Sequence, residues 1–164
     1  MSNSMEQLYQ QVILDHSKHP TGKGLVELLE GIGAESHQVN PTCGDEVTMR
    51  VSFAGDESSP TISQLTWDGQ GCSISQASVS VLTQLVEGKT VEEAEQIAEI
   101  FRELMDTRGK GFGELDEAAE AKEDALGDAT AFTGVSKFPA RIKCALLGWS
   151  ALKDTFAKAG VHGS

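Results

Sequence analysis

Cys43-Gly44-Asp45-Glu46-Val47-Thr48-Met49-Arg50-Val51-Ser52-Phe53 decides the reading of this chain. Val47, Met49, Val51 and Phe53 alternate with Glu46, Thr48, Arg50 and Ser52, the period of a strand buried on one face. Ala54 to Pro60 is turn chemistry, with a glycine, an aspartate, two serines and a proline. Residues 61–68 resume as a strand, with Leu65 and Trp67 on its buried face. This order predicts an antiparallel hairpin. If residue 53 faces residue 61, then residue 45 faces residue 69 and residue 43 faces residue 71, with opposed Cα atoms about 5 Å apart. Gly69-Gln70-Gly71 breaks the strand and Cys72 follows at once. Cys43, Asp45 and Cys72 are therefore expected to meet at one end of a sheet.

Outward from the hairpin the pattern turns helical. Ser73 or Ser75 is placed to cap a helix with Ile74, Ala77, Ser78, Val81, Leu82 and Leu85 on one face, closed by Gly88. Thr90-Val91-Glu92-Glu93 is a capping box opening a helix whose apolar face is Ala94, Ile97, Ala98, Phe101, Leu104 and Met105. Residues 107–116 read as a glycine-rich loop, 114–126 as an exposed acidic helix, and 127–137 as ambiguous. Pro139 fits the first turn of a final helix. Its buried face is read as Ile142, Ala145, Leu146, Trp149, Leu152 and Phe156. Cys144, Gly148, Ala151 and Thr155 form a second, small-residue face, from which the thiol reaches towards a neighbouring loop. Upstream, residues 4–19 read as a helix with Met5, Leu8, Tyr9, Val12, Ile13 and His16 at helical spacing. Residues 21–31 read as a loop with room for one helical turn, and 32–39 as a weak strand.

With 164 residues, one domain over 1–164 is the default. No apolar run is long enough to span a membrane. Met1-Ser2-Asn3-Ser4-Met5-Glu6 lacks the basic-then-apolar order of a signal peptide, so the expected compartment is the cytoplasm, where thiols stay reduced. Three cysteines cannot all pair within one chain, which leaves metal binding, catalysis or plain burial. The net charge of −12 is uneven: Glu87 to Asp128 holds 14 acidic against 5 basic residues. Such a surface repels phosphate backbones and excludes nucleic acid as a partner; the stretch itself reads as a solvated acidic face.

Each cysteine alone reads as a small buried hydrophobe. Together they read differently. Glycines adjoin two of them, Asp45 stands two residues after Cys43, and Cys72 precedes a helix start, where amide dipoles favour a thiolate. Three thiols and a carboxylate fill a tetrahedral zinc shell, leaving a net charge of about −2 that Arg141 and Lys143 could offset. Iron–sulfur ligation by the same thiols is the alternative. His37 reads first as a partly exposed strand histidine and second as a ligand. His16 and His19 read as helix-end residues, and His162 as part of a frayed tail.

Asn40-Pro41-Thr42-Cys43-Gly44-Asp45, Asp68-Gly69-Gln70-Gly71-Cys72-Ser73-Ile74-Ser75 and Pro139-Ala140-Arg141-Ile142-Lys143-Cys144 resemble the SufU branch of the IscU/NifU-N-terminal-like family. So does Leu8-Tyr9-Gln10-Gln11-Val12-Ile13-Leu14-Asp15-His16. The resemblance covers nearly the whole chain. It implies an α+β fold, a small antiparallel sheet of about three strands covered by helices on one face, with a long C-terminal helix. It also implies a zinc site at Cys43, Asp45, Cys72 and Cys144. IscU scaffolds place a histidine immediately before the third cysteine, where this chain has Lys143. The chain is also longer around 106–134, which reads as a family-specific insertion. Both departures point to SufU and away from a cluster scaffold.

The activity implied is sulfur relay, that of a zinc-dependent sulfurtransferase. A SufS-type, pyridoxal-phosphate-dependent cysteine desulfurase forms a persulfide. Cys43 accepts its outer sulfur, and the sulfur passes on to a downstream iron–sulfur assembly scaffold. The resemblance further implies that a partner histidine takes over a zinc position and frees the acceptor thiolate. Arg141 reads equally as a docking residue and as a solvated first-turn arginine. Two other functions stay open: assembly of a transient iron–sulfur cluster on the same thiols, and a structural zinc module that activates the desulfurase without carrying sulfur.

Overall fold

The computed structural model describes residues 2–42, 44–56, 58–113 and 117–161, the side chains of residues 2–5 excepted. The alternating stretch forms strand β2, Asp45–Ala54, at the centre of an antiparallel sheet. It lies between β1, Gly33–Asn40, and β3, Thr61–Gln70. The α-helices among the described residues are α1 (Ser2–Lys18), α2 (Ser73–Val86), α3 (Val91–Asp106), α4 (Glu117–Leu126) and α5 (Pro139–Ala159). This is the expected α+β architecture, and α5 packs against β1 and β2.

The hairpin register differs from the one-to-one count. At the turn Phe53 faces Ile62 and not the expected residue 61, a shift of one, and Ser52 then faces Gln64, so Ser63 is an extra residue in a bulge that adds a second. Beyond it every pairing is displaced, Val47 faces Gly69, and the expected Asp45–Gly69 pairing is corrected. Strand β3 also runs on through Gly69 and Gln70 instead of breaking there. Gly69 permits this because a Cβ at that position would strike the Glu46 carbonyl and the Val47 Cα. The displacement carries Gly71 and Cys72 towards Asp45.

The inner sheet face supplies Met49, Val51, Ile62, Leu65 and Trp67 to a core that Phe101, Phe132 and Leu152 complete. Each such side chain contributes about 1.5–3 kcal/mol on burial. Phe101 stacks on Trp149 at 4.6 Å between ring centroids. The capping box of α3 forms as expected: Thr90 Oγ1 accepts the Glu93 amide at 3.0 Å, and the Glu93 carboxylate accepts the Thr90 amide at 3.2 Å.

Helix α5 corrects the expected stripe. Ala145, Trp149, Leu152 and Phe156 of that stripe are buried as expected, but Ile142 and Leu146 are only partly covered, and the small-residue face is buried throughout. The reason is close helix approach. A Cβ on Gly148 would lie 2.7 Å from the Val79 side chain of α2, so only glycine admits this packing. Ser78 Oγ then donates to the Ala145 carbonyl at 2.6 Å and accepts from Trp149 Nε1 at 3.1 Å. Helix α2 is correspondingly buried on more than the expected face, including Val79, Ser80 and Thr83. On α1, Leu8 is exposed, contrary to its spacing, while Tyr9, Val12, Ile13 and His16 are half-buried.

Residues 21–31 form a loop without a helical turn. The Trp67 amide donates to Gly22 and the Gly24 amide to Trp67, covering the free edge of β3. The loop then crosses the outer face of the sheet, where Thr66 and Ser52 hydroxyls accept the Val26 and Leu29 amides.

The ambiguous stretch 127–137 is a 3-10 helix, Gly127–Lys137. Thr130, Thr133 and Ser136 each donate a hydroxyl to the carbonyl three residues back, at 2.9, 2.6 and 2.6 Å. That spacing reinforces the three-residue repeat and accounts for a run longer than usual. Of the acidic segment 114–126, residues 114–116 lie outside the described residues, and the rest is helical with Ala119 and Leu126 buried.

Candidate metal centre

Three of the four expected ligands meet. Asp45 begins β2, Cys72 is the N-cap of α2, and Cys144 lies in the second turn of α5. One ligand atom from each lies within 4.8 Å of the others. Cys43, the fourth, lies outside the described residues, two positions before Asp45 in the chain.

Each side chain is set by its own element. The β1–β2 hairpin closes with Asn40 facing Asp45, and the Gly44 amide donates to the Asn40 carbonyl at 2.9 Å. Gly44 is left-handed, with φ 72°, a conformation that favours glycine. Asp45 is 1% exposed. Its Oδ1 accepts the Cys72 amide at 2.9 Å, which leaves Oδ2 turned to Cys72 Sγ at 3.9 Å. Gly71 makes that approach possible, because a Cβ there would strike the Asp45 carboxylate.

At the start of α2 the expected serine cap gives way to Cys72. Ser75 Oγ instead donates to the Cys72 carbonyl at 3.1 Å. Cys72 makes no side-chain capping bond, so its exposed sulfur is available at the positive end of the helix dipole. Cys144 is buried at 3% exposure, yet it does reach a neighbouring element, as its face of α5 predicted. Its Sγ lies 3.9 Å from Asn40 Nδ2 at the end of β1. The Ser78–Ala145 bond beside it ties α5 to the helix that carries Cys72.

This donor set suits a soft divalent cation. Thiolates and a carboxylate are zinc ligands, and zinc holds such atoms about 3.3–3.8 Å apart, a modest contraction from the spacing here. Asp45 points the same way. Among the described residues no lysine, arginine or histidine forms an ion pair with it, although it is buried. Buried carboxylates are normally paired or metal-bound.

The other candidates sit elsewhere. Arg141 is exposed with its guanidinium 5.4 Å from the Phe138 ring centroid, and Lys143 is exposed on the turn that holds Cys144. His37 is an exposed strand residue, 2.8 Å from Thr48 Oγ1 and 3.8 Å from Glu46. His16 does more than end a helix: Nδ1 meets Ser80 Oγ at 2.7 Å and Nε2 meets Asp128 at 3.0 Å. It thereby joins α1 to α2 and to the 3-10 segment. His19 is exposed, and His162 lies outside the described residues. Asn40 is the site residue whose role sequence reasoning missed. The available signal was a polar amide at an inward strand position, directly before Pro41.

A model of the NifU-like N-terminal domain matches residues 8–145. The chain belongs to this NifU-like family. It is 41% identical over 155 residues to the zinc-dependent sulfurtransferase SufU of Bacillus subtilis, covering 94% of this chain and 93% of that protein. It is 39% identical over 157 residues to the iron–sulfur cluster assembly scaffold protein IscU of Streptococcus pyogenes, covering 95% and 87%. Among solved structures it resembles a proposed iron–sulfur cluster assembly scaffold protein for the SUF system from Fervidobacterium islandicum. That match has a TM-score of 0.68 and 32% identity over 88% of this chain and 93% of the other. Within the NifU-like family, then, the chain is similar both to a sulfurtransferase and to scaffolds. Among its described residues no helix is long and apolar enough to cross a membrane.

Proposed function

We propose that this NifU-like chain is a cytoplasmic zinc-dependent sulfur relay protein. It accepts persulfide sulfur on Cys43 from a SufS-type cysteine desulfurase and passes it towards an iron–sulfur assembly scaffold. The observation that carries the reading is the meeting of Asp45, Cys72 and Cys144 within 4.8 Å. The similarity to a zinc-dependent sulfurtransferase supports it. In this reading Cys43, Asp45, Cys72 and Cys144 hold the metal, and 106–134 is an insertion within a single domain.

Zinc, when bound, would keep the sulfurs as thiolates at neutral pH and gather them at one point. The chain's own groups do the rest. The Cys72 amide aims the Asp45 carboxylate, and the Ser78–Ala145 bond fixes the helix turn of Cys144. The Cys43 thiolate attacks the outer sulfur of the donor's persulfide. The bond from that sulfur to the donor cysteine breaks, the donor leaves as a thiolate, and Cys43 carries the new persulfide. One sulfur–sulfur bond forms as one breaks, so no oxidant or reductant is consumed. Arg141 and Lys143, exposed on the first turns of α5, serve as docking or charge-supporting groups.

The test incubates the protein with a SufS-type desulfurase and free cysteine. Mass spectrometry should find an added sulfur atom on Cys43, and Cys43→Ala should abolish stimulation of desulfurase turnover. Full multiple-turnover stimulation by Cys43→Ala would defeat the relay. The scaffold-type relative favours a second reading, assembly of a nascent cluster on the same thiols. Anaerobic iron and sulfide would then yield a chromophore that transfers to an acceptor protein.

A further inference from the structure

The two described thiols of the site differ in what faces them. Cys72 is exposed, and its sulfur looks onto the Asp45 carboxylate, an acceptor. Cys144 is buried, and besides the Ala140 carbonyl of its own helix at 3.8 Å its sulfur faces the side-chain amide of Asn40, a donor. Asn40 is itself 7% exposed and ends β1, with its carbonyl occupied by the Gly44 amide of the hairpin turn. Its Nδ2 lies 3.9 Å from Cys144 Sγ. An amide N–H can only donate, and a sulfur accepts weakly as a thiol but well as a thiolate.

We infer that Asn40 is a positioning residue that makes Cys144 the anchoring ligand of the site, the sulfur that keeps hold of the metal while exposed donors exchange with a partner. The inference rests on the zinc reading of this cluster. The N–H···S contact draws charge from that sulfur, so Cys144 becomes the less nucleophilic thiolate, the one slower to be protonated or alkylated off the metal. It also fixes the direction of the thiolate from the end of β1, so the ligand on α5 is aligned to the hairpin that carries Asp45. Cys72, with no such donor among the described residues, stays the more reactive of the two.

The experiment uses the full chain as wild type, Asn40→Ala and Asn40→Asp, loaded with zinc or with cobalt(II). Asn40→Asp keeps the size of the side chain but replaces the donor by an anion. Release of zinc to excess chelator should be about 10–100 times faster in Asn40→Ala and faster still in Asn40→Asp. The sulfur-to-cobalt charge-transfer band should move to lower energy in both. Alkylation of the zinc protein, mapped by mass spectrometry, should rise at Cys144 and change little at Cys72. A residue that only fills space predicts an unshifted cobalt band and unchanged alkylation at Cys144 in Asn40→Ala, and that result would overturn the inference. Asn40→Ser, with a shorter donor, is read in the same assays if either variant fails to fold and should fall between wild type and alanine; wild-type behaviour there with an unshifted band also counts against Asn40. A wild-type protein that takes up neither zinc nor cobalt sinks the metal reading itself, whereas normal uptake with unaltered variants sinks only the role of Asn40.

Discussion

Asp45 carries two duties on two oxygens, and the duties have opposite energetic signs. Oδ1 takes the Cys72 amide at 2.9 Å, while Oδ2 faces the sulfur of the same residue. With 1% exposure the carboxylate loses nearly all of its hydration. A buried charge without a partner costs several kcal/mol, and a divalent cation reverses that cost. Replacement by asparagine keeps the acceptor for Cys72 and removes the charge. Without metal, Asp45→Asn should therefore be as stable as wild type or more so. With zinc, the order should invert, and the variant should release zinc to a chelator at least about tenfold faster. Thermal melting with and without zinc checks the inversion. A variant that is less stable in both conditions would mean that Asp45 acts only through its hydrogen bond. For Asp45→Ala the same loss of zinc retention is expected, with the Cys72 amide left unpaired as well.

At the level of elements, β1 and α5 are clamped by one carboxylate. Asp154 Oδ2 accepts the Ser36 hydroxyl at 2.6 Å and the Gln38 amide at 3.4 Å, with Lys158 Nζ at 3.3 Å. Lys158 also donates to the Glu35 carbonyl at 3.1 Å. The Ser36 hydroxyl, and behind it Lys158, hold the Asp154 carboxyl below its ordinary value of 3.8. A carboxyl depressed by folding stabilises the fold above its unfolded pKa, and that contribution is lost as pH falls through the folded one. Stability should accordingly decline as pH falls below about 4. Ser36→Ala should cost about 1 kcal/mol at neutral pH and flatten the acid limb. Chemical denaturation at neutral and acid pH measures both, and an unchanged acid limb in the variant would exclude Asp154 as its source. Elements of this kind were legible in the sequence to different degrees, for physical reasons. β2 and the cap of α3 are local patterns, a period of two and a reciprocal pair of hydrogen bonds, so they read directly. The Ser63 bulge is not local, because only pairing with Ser52 makes one residue surplus. The 3-10 stretch left a trace at Thr130, Thr133 and Ser136, but it is a spacing of hydroxyls, invisible to a search for apolar periods. α5 misled because Gly148 lets α2 press onto the face that looked secondary. The cysteine cluster was readable because glycines and a carboxylate mark its loops, whereas Asn40, though it opens the Cys43 stretch, shows its role only through a contact with Cys144, 104 residues on.

Across the whole molecule, the site is a junction between parts that the core already holds. Asp45 comes from the β1–β2 hairpin, Cys72 from the β3–α2 junction and Cys144 from α5. Metal binding there must stabilise the chain by linkage, since an unfolded chain does not bring these residues together. Yet the hydrophobic core is assembled without Asp45, Cys72 or Cys144. Trp67, Phe101 and Phe132 are fully buried, and the α2–α5 contact at Ser78, Ala145 and Gly148 lies behind the site. The chain should therefore behave unlike a zinc finger, which unfolds when its metal is removed. Chelated protein should keep its far-ultraviolet helical signal and melt cooperatively at a lower temperature. At zinc concentrations about a thousand times the dissociation constant, linkage amounts to about 4 kcal/mol. For a chain of 164 residues that is a shift of about 8–16 °C. Differential scanning calorimetry across a zinc titration gives the curve. A melting temperature indifferent to zinc would leave the thiols and Asp45 without a common ion, and immediate loss of helix on chelation would mean that the core is too weak to stand without one.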